Sequence, residues 1–205
     1  MHLKELIALW SLLDRFKNTE RNVFSVGTER KENDSEHSFE LAIICRYLAT
    51  QYNKEWWNIQ VEKVIIYALV HDLVEAYAWD TDTYSCSAED YSTKHAKEMD
   101  ALQKIKEETS FFPELAERIE AYEVQQDEES QFVKSIDKSS YPLVQIRDQY
   151  RSRKYIWKQL SLETVDVEKQ KKLSHHYGKK LWNDLVIYFT WTLWRDKTKK
   201  FGDFL

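Results

Sequence analysis

The sequence predicts an all-α fold, and two observations support this prediction. Glycine occurs only three times and proline twice among the 205 residues, whereas β-rich and loop-rich folds need more residues that favour turns. Apolar residues also recur at intervals of three or four along most of the chain, which is the period of an amphipathic helix. No repeat, low-complexity tract or linker divides the chain, so we expect a single domain of residues 1–205.

The first two helices are predicted from the spacing of their apolar side chains. A helix over residues 3–16 is indicated by four side chains on one face: Leu3, Ile7, Trp10 and Leu13. Residues 17–33 are polar and are expected to be irregular. Asp34 or Ser35 can cap a second helix. Phe39, Ile43, Ile44 and Leu48 recur along it at helical spacing.

Four more segments are predicted in the middle of the chain. A helix is expected over residues 61–76, followed by a loop over residues 77–87 that is rich in Thr, Ser and Asp. Residues 89–108 are charged and amphipathic. A further helix is expected to begin at Pro113, because proline is well tolerated in the first turn of a helix.

Two helices are predicted in the last third of the chain. The first begins at Asp127 and runs towards Tyr150, with a kink or break expected at Pro142. The second covers residues 166–195. It carries an aromatic cluster that we expect to form core or a dimer interface: Trp182, Tyr188, Phe189, Trp191 and Trp194.

Composition and net charge indicate which binding partners and which cellular location to expect. The net charge of −5 gives no overall basic field, so nucleic acid is not an expected partner. No stretch approaches the roughly 18 apolar residues of a membrane span. Cys45 and Cys86 form no paired motif and are interpreted as reduced thiols, which favours a cytoplasmic protein.

The His71-Asp72 pair is the first sign of a reactive site. It lies near the C-terminal end of an otherwise apolar helix, where an imidazole and a carboxylate are costly to bury unless something neutralises them. Such ligands suit a divalent metal ion. The alternative is a capping histidine beside a surface aspartate. Glu75 follows at a spacing that places it on the same side of a helix, and Asp80 follows in the loop.

His37 and Asp137 extend this group. His37 lies in the first turn of its helix on the predicted inward face, where the alternative is a satisfied core histidine. Asp137 lies beside the apolar residues Phe132, Val133 and Ile136. A metal bound within a helical bundle would explain all four polar groups at once.

Three segments resemble the HD-domain metal-dependent phosphohydrolases, and within them the 5′-deoxynucleotidase branch. They are RKENDSEHSFELA (residues 30–42), ALVHDLVEAYAWD (residues 68–80) and YEVQQDEESQFVKSIDK (residues 122–138). The resemblance covers about residues 20–150. It implies an HD-type helical bundle with a metal site between helices, in which the C-terminal helices of residues 150–205 complete the bundle or a dimer interface.

The resemblance also implies a role for each residue of the site. Four residues would hold one divalent ion, Co²⁺, Mn²⁺, Zn²⁺ or Mg²⁺: His37, His71, Asp72 and Asp137. Glu75 would activate the attacking water, and Asp80 would assist proton transfer to the leaving alcohol. Arg21 and Arg30 would hold phosphate. The sequence departs from the family pattern at Trp79, where glycine is usual, and at Arg21-Asn22, which replaces an Arg-Trp pair.

The expected function is hydrolysis of deoxyribonucleoside 5′-monophosphates to nucleoside and phosphate. One alternative is another nucleotide, a triphosphate or a cyclic nucleotide, hydrolysed on the same metal core. A second alternative is a non-catalytic helical module that retains the metal site. The expected partners are a small nucleotide and a second copy of the chain.

Overall fold

The computed structural model describes residues 2–25, 28–55, 57–78 and 88–147, together with residues 179 and 183. Helices dominate, which confirms the predicted all-α class. They are α1 (Leu3–Lys17), α2 (Asp34–Asn53), α3 (Val61–Val70), α4 (Glu75–Ala78), α5 (Ala88–Glu108), α6 (Pro113–Val124) and α7 (Glu128–Arg147). Two compact units are formed by Met1–Ser130 and by Gln131–Leu205. That all 205 residues constitute one domain stays a prediction.

A β-hairpin lies where irregular chain was expected. Strands β1 (Glu20–Phe24) and β2 (Lys31–Asn33) pair antiparallel, with Glu20 opposite Asn33 and Phe24 opposite Lys31. The pairing register shifts between these two pairs. Polar strands this short show no apolar alternation in the sequence, which is why the pattern did not predict them.

Helix α2 begins directly after β2, and its cap is Asn33. The Asn33 side chain accepts a hydrogen bond from the Glu36 backbone N–H at 3.0 Å, and the Glu36 carboxylate accepts one from the Asn33 backbone N–H at 3.2 Å. This reciprocal capping box satisfies two backbone donors at the helix start. The cap therefore lies one residue before the predicted Asp34 or Ser35.

The predicted apolar face of α1 is exposed. Leu3, Ile7 and Trp10 are all more than half exposed, whereas Leu12 and Phe16 are buried. Leu12 and Phe16 lie four residues apart and therefore share a helix face. The helix face that carries Leu3, Ile7, Trp10 and Leu13 therefore does not face the core.

The large apolar residues that recur along α2 are also mostly outside the core, whereas His37 lies on the buried face, as predicted. Phe39, Ile43 and Ile44 are exposed, and the buried face is formed by a different set at helical spacing: Asp34, His37, Ser38, Leu41, Ala42, Cys45, Ala49 and Tyr52. Ala42, Cys45 and Ala49 are small, which allows close approach of α3, the element that α2 contacts most extensively. The expectation that Cys45 is a core residue is confirmed, since it is fully buried.

The helix predicted over residues 61–76 is divided. Helix α3 ends at Val70, His71 is its C-cap, and residues 71–74 form turns before the short helix α4. The apolar pattern continues through Leu73 and Val74, both buried. Because these two buried residues continue the helical spacing of α3, the sequence pattern did not reveal the break.

One hydrophobic core cluster lies between the helices that surround this break. It consists of Leu12, Phe16, Val70, Leu73, Val74, Ala101, Leu102, Ile105 and Ile119. Since Val70, Leu73 and Val74 belong to this cluster, the turn that carries His71 and Asp72 is anchored on both sides by buried apolar side chains. Among the described residues, no helix combines the length and the apolar character that a membrane crossing needs.

The later helices agree with the expected bounds where they are described. Pro113 stands at the start of α6 as predicted, with Phe112 as the N-cap residue. Helix α7 continues through Pro142 to Arg147, so the predicted kink or break does not end it. The helix predicted over residues 166–195 and most of the loop predicted over residues 77–87 lie outside the described residues.

A polar network joins α3 to the segment between α6 and α7. The Tyr67 hydroxyl donates to Asp127 at 2.7 Å, Lys63 Nζ lies 3.3 Å from the same carboxylate oxygen, and the Ser130 backbone N–H donates to its other oxygen at 2.8 Å. Burial alone would raise the pKa of Asp127, but these three donors outweigh it and the net pKa is lowered. Burial and the Asp127 carboxylate together raise the pKa of Tyr67 to about 12.

Replacing Asp127→Asn should lower the free energy of unfolding at pH 7 by about 1–2 kcal/mol, the range for a hydrogen-bonded, partly exposed charge. Because the folded-state pKa of Asp127 is below the unfolded value of about 4, this stabilisation exists above that pH. It should be lost as pH falls through the folded-state pKa. Urea denaturation of both proteins between pH 7 and pH 3 measures the difference.

Asp14→Asn is the matched control, because Asp14 pairs with Lys17 on an exposed surface and its replacement should change stability by less than about 0.5 kcal/mol. A difference between the Asp127 variant and the original protein that stays constant down to pH 3 would contradict the prediction.

Candidate metal centre

The turn after α3 places the carboxylates of Asp72 and Glu75 on the same side of the backbone. The Leu73 backbone N–H donates to the Val70 carbonyl at 3.1 Å, and the Glu75 N–H donates to the Asp72 carbonyl at 2.8 Å. These bonds span three residues, as in a 3₁₀-helix, in which side chains three apart lie above one another. Asp72 and Glu75 therefore face the same side, although the α-helix has ended.

His71 is oriented by the end of its own helix. Its side chain is buried, and Nδ1 lies 2.9 Å from the Ala68 backbone carbonyl. A carbonyl oxygen can only accept a hydrogen bond, so Nδ1 carries the hydrogen. In the neutral ring Nε2 then carries the lone pair and is the atom available to a metal ion.

His71 Nε2 lies beside the Asp72 carboxylate. It is 2.9 Å from Asp72 Oδ2, but it is buried and has no partner with hydrogen-bond geometry among the described residues. Two ligand atoms that share one ion at bond lengths of about 2.1 Å lie roughly 3 Å apart when the bonds are perpendicular. The pair therefore has the spacing of two ligands of one cation, and the residues fit a metal ion.

His37 completes this group from the neighbouring helix. It lies in the first turn of α2 and is buried, and its ring centroid is 5.3 Å from that of His71. One ligand atom each of His37, His71 and Asp72 lies within 4.8 Å of the others. Three of the four residues predicted to hold a metal are thus close enough to share an ion.

Aromatic side chains form one wall of this group. Tyr122 of α6 meets the His71 ring edge-on, with centroids 5.8 Å apart and planes at 77°. Tyr67 packs against Tyr122 in turn, with centroids 6.0 Å apart. The His71 ring is thus packed against an aromatic side chain, and the residue is only 2% exposed.

Asp34 belongs to the same centre, although the sequence indicated only a possible helix cap. It is completely buried, and its carboxylate lies within 4.8 Å of ligand atoms of Asp72 and Glu75. Asp34 precedes His37 by three residues and so shares its helix face. This shared face is the signal that could have identified it.

Arg21 lies against these carboxylates. Its Nη1 atom is 2.7 Å from Asp72 Oδ2 and 3.4 Å from Asp34 Oδ1. Its side chain is 17% exposed, so the guanidinium is largely shielded and its attraction to both carboxylates is stronger than on an open surface. Among these residues, one cationic side chain opposes three carboxylates: Asp34, Asp72 and Glu75.

Arg30, the second residue predicted to hold phosphate, forms a different pair. Its two terminal nitrogens contact both carboxylate oxygens of Glu36, at 2.7 Å and 2.5 Å. The hydrogen bonds from Arg30 lower the pKa of Glu36, and the pKa of Arg30 is raised by the same pairing. Arg30 lies on the hairpin side of the capping box, and its role towards phosphate stays a prediction.

The short helix α4, which carries the buried Glu75, is held by Tyr77. The Tyr77 hydroxyl donates to Glu108, while Arg15 and Lys104 lie over its ring at 5.1 Å and 4.3 Å from the centroid. Burial and the Glu108 carboxylate raise the pKa of Tyr77 to about 12. These contacts connect α4 to α1 and α5, which fixes the backbone from which Glu75 extends.

Two predicted site residues are not placed in this group. Asp137 is buried on α7, with Lys138 Nζ 3.0 Å from its carboxylate, and belongs to the second compact unit. Asp80 lies outside the described residues. Their roles as a metal ligand and as a proton donor stay predictions.

Comparison with known sequences identifies relatives. The family model for the HD domain matches residues 13–182. The 5′-deoxynucleotidase YfbR of Escherichia coli O127:H6 (strain E2348/69 / EPEC) is 30% identical over 140 residues, which are 65% of this chain and 62% of that protein. The match thus spans less than two thirds of the relative.

Solved structures share the fold. A protein from Magnetospirillum magnetotacticum MS-1, described as a predicted metal-dependent phosphohydrolase, gives a TM-score of 0.68 at 21% identity and covers 90% of this chain and 94% of its own. A conserved hypothetical protein from Pyrococcus furiosus gives 0.65 at 28% identity, covering 89% of this chain and 99% of its own. Because the family model matches residues 13–182, which is most of the chain, the chain belongs to the HD-domain family.

Proposed function

We propose that this protein is a 5′-deoxynucleotidase, which hydrolyses deoxyribonucleoside 5′-monophosphates to a deoxynucleoside and inorganic phosphate. The observation that carries the hydrolytic part is the buried His71 Nε2, directed beside Asp72 and within reach of His37. The choice of substrate is supported by the Escherichia coli relative, whose name states that activity.

One divalent ion is part of the proposal, with His37, His71, Asp72 and Asp137 as its ligands. Imidazole and carboxylate together suit Co²⁺, Mn²⁺, Zn²⁺ or Mg²⁺. When bound, the ion supplies positive charge to the phosphoryl oxygens and lowers the pKa of water.

The protein side chains then divide the remaining work of phosphate-ester cleavage. Glu75 accepts the proton of the water that attacks phosphorus, since its carboxylate lies close to that of Asp72. The bond between phosphorus and the 5′ oxygen breaks, and Asp80 donates a proton to the departing oxygen. Arg21 orients the phosphate, with Arg30 as a second contact. Arg21 must then share its guanidinium between the substrate and Asp72.

A homodimer in the cytoplasm is also proposed. Phe39, Ile43 and Tyr47 of α2 are 64%, 55% and 62% exposed, and neighbouring large apolar side chains at a protein surface are typical of interfaces. Sedimentation velocity distinguishes one chain from two. The cytoplasmic location rests on the interpretation of the cysteines as reduced thiols.

The substrate assignment is tested by a hydrolysis screen with each of the four metals. Chromatography of the products accompanies the phosphate assay, because opening a cyclic nucleotide releases no inorganic phosphate. Deoxyribonucleoside monophosphates should release inorganic phosphate faster than ribonucleoside monophosphates, triphosphates or cyclic nucleotides. Faster hydrolysis of a triphosphate or a cyclic nucleotide would replace the substrate but keep the chemistry. No hydrolysis with any metal would favour a non-catalytic regulatory module.

Replacing Asp72→Ala should abolish tight metal binding and activity together, because it removes the carboxylate beside His71 Nε2. We expect the loss of metal affinity to exceed the roughly 10- to 100-fold cost of removing an outer contact of a metal site. Isothermal titration calorimetry with Mn²⁺ measures it. Asp100→Ala, at an exposed position of α5, is the control. Unchanged metal content and activity in the Asp72 variant would refute the assignment.

Replacing Glu75→Ala should leave metal affinity nearly unchanged and lower kcat by about 100- to 10,000-fold, the range for loss of a general base. Glu75→Gln keeps the size of the side chain but not its basicity, so it should have the same effect as Glu75→Ala. Metal analysis and steady-state kinetics on the same samples separate the two effects. An active Gln variant would remove Glu75 from the proton transfer.

A further inference from the structure

A buried carboxylate on the hairpin lies behind the metal-site histidines. Glu32 is the central residue of β2, and it is buried while the preceding Lys31 is exposed. Successive side chains of a strand point to opposite faces, so the strand directs Glu32 inward. Neither the sequence pattern nor the family resemblance assigned it a role.

Glu32 faces His37. Its Oε1 atom lies 3.5 Å from His37 Nδ1, and both side chains are 10% exposed. A carboxylate in such an environment loses much of its hydration and needs a donor or a positive charge close by. The His37 ring nitrogen, 3.5 Å away, is placed to meet this requirement.

We propose that Glu32 is a positioning residue for the metal site. By accepting the Nδ1 hydrogen of His37, it fixes the ring tautomer and directs Nε2 towards His71 and Asp72. Histidines that bind metals commonly donate their other ring N–H to a carboxylate or a backbone carbonyl, which orients the ring and makes the ligand more basic. The inference rests on the proposed metal centre and extends it to the outer contacts.

The same arrangement recurs at two further proposed ligands, His71 and Asp72. The Ala68 carbonyl holds Nδ1 of His71 at 2.9 Å, and Arg21 holds Asp72 at 2.7 Å. Each residue of the buried group thus has an outer partner. Two of these partners, Arg21 on β1 and Glu32 on β2, come from the hairpin, which gives this small element a function in the site.

The contact between Glu32 and His37 can be removed without touching a proposed ligand. Glu32→Ala deletes the acceptor, whereas Glu32→Gln keeps an oxygen that can accept the same hydrogen but has no charge. Glu20→Gln is the matched control, because it makes the same charge change at an exposed position of the same hairpin. Circular dichroism shows whether each variant keeps its helical content.

Metal affinity is the primary measurement, made by calorimetry with Mn²⁺ and by the visible absorption of bound Co²⁺. We expect Glu32→Ala to weaken binding about 10- to 100-fold, as loss of outer-shell partners does elsewhere. Glu32→Gln should weaken it less, and the Co²⁺ spectrum of Glu32→Ala should change, since the spectrum responds to the orientation and basicity of the ligands. Glu20→Gln should match the original protein in both.

The outcomes separate this inference from the proposed function. If the original protein binds the metal and both Glu32 variants bind it equally well with the same Co²⁺ spectrum, Glu32 has no positioning role, while the metal centre stands. If the original protein binds neither Mn²⁺ nor Co²⁺, the metal centre and the inference both fail. If Glu32→Ala does not fold, the affinity and spectrum of Glu32→Gln decide, and values equal to those of the original protein overturn the inference.

Discussion

Three carboxylates lie close together in the first unit, and its other features depend on this constraint. Asp34, Asp72 and Glu75 carry carboxylates within 4.8 Å of one another, and at the low effective dielectric of a shielded site such groups repel strongly unless cations lie between them. The guanidinium of Arg21 supplies part of the positive charge that these carboxylates need. A divalent ion beside His71 would supply more of this positive charge.

Sequence reasoning identified the residues whose surroundings in the chain are unusual. His37, His71 and Asp72 are polar groups on otherwise apolar helices, and the structure brings them together. Glu32 and Asp34 were missed because acidic residues before a helix ordinarily serve its N-terminus. Only the packing of the hairpin against α2 distinguishes these two from ordinary helix-capping acids.

Helix bounds were predicted better than helix faces. Periodicity is a local property, so α1, α5 and α6 begin within a residue or two of expectation. Which face is buried depends on the neighbouring element. In α2 the close packing of α3 selects the face with Ala42, Cys45 and Ala49, and the larger apolar residues Phe39 and Ile43 remain outside. Hydrophobicity alone favours the larger side chains and therefore does not identify the buried face of α2.

The direct passage from β2 into α2 has a consequence for how this protein tolerates insertions and deletions. Strand β2 ends at Asn33 and helix α2 begins at Asp34, so no linker separates the strand from the helix. A one-residue insertion or deletion where β2 meets α2 would reverse the side of the strand that meets the helix. Lys31 or Asn33 would then take the inner position. The length of this junction should consequently be far less variable than that of other connections in the chain.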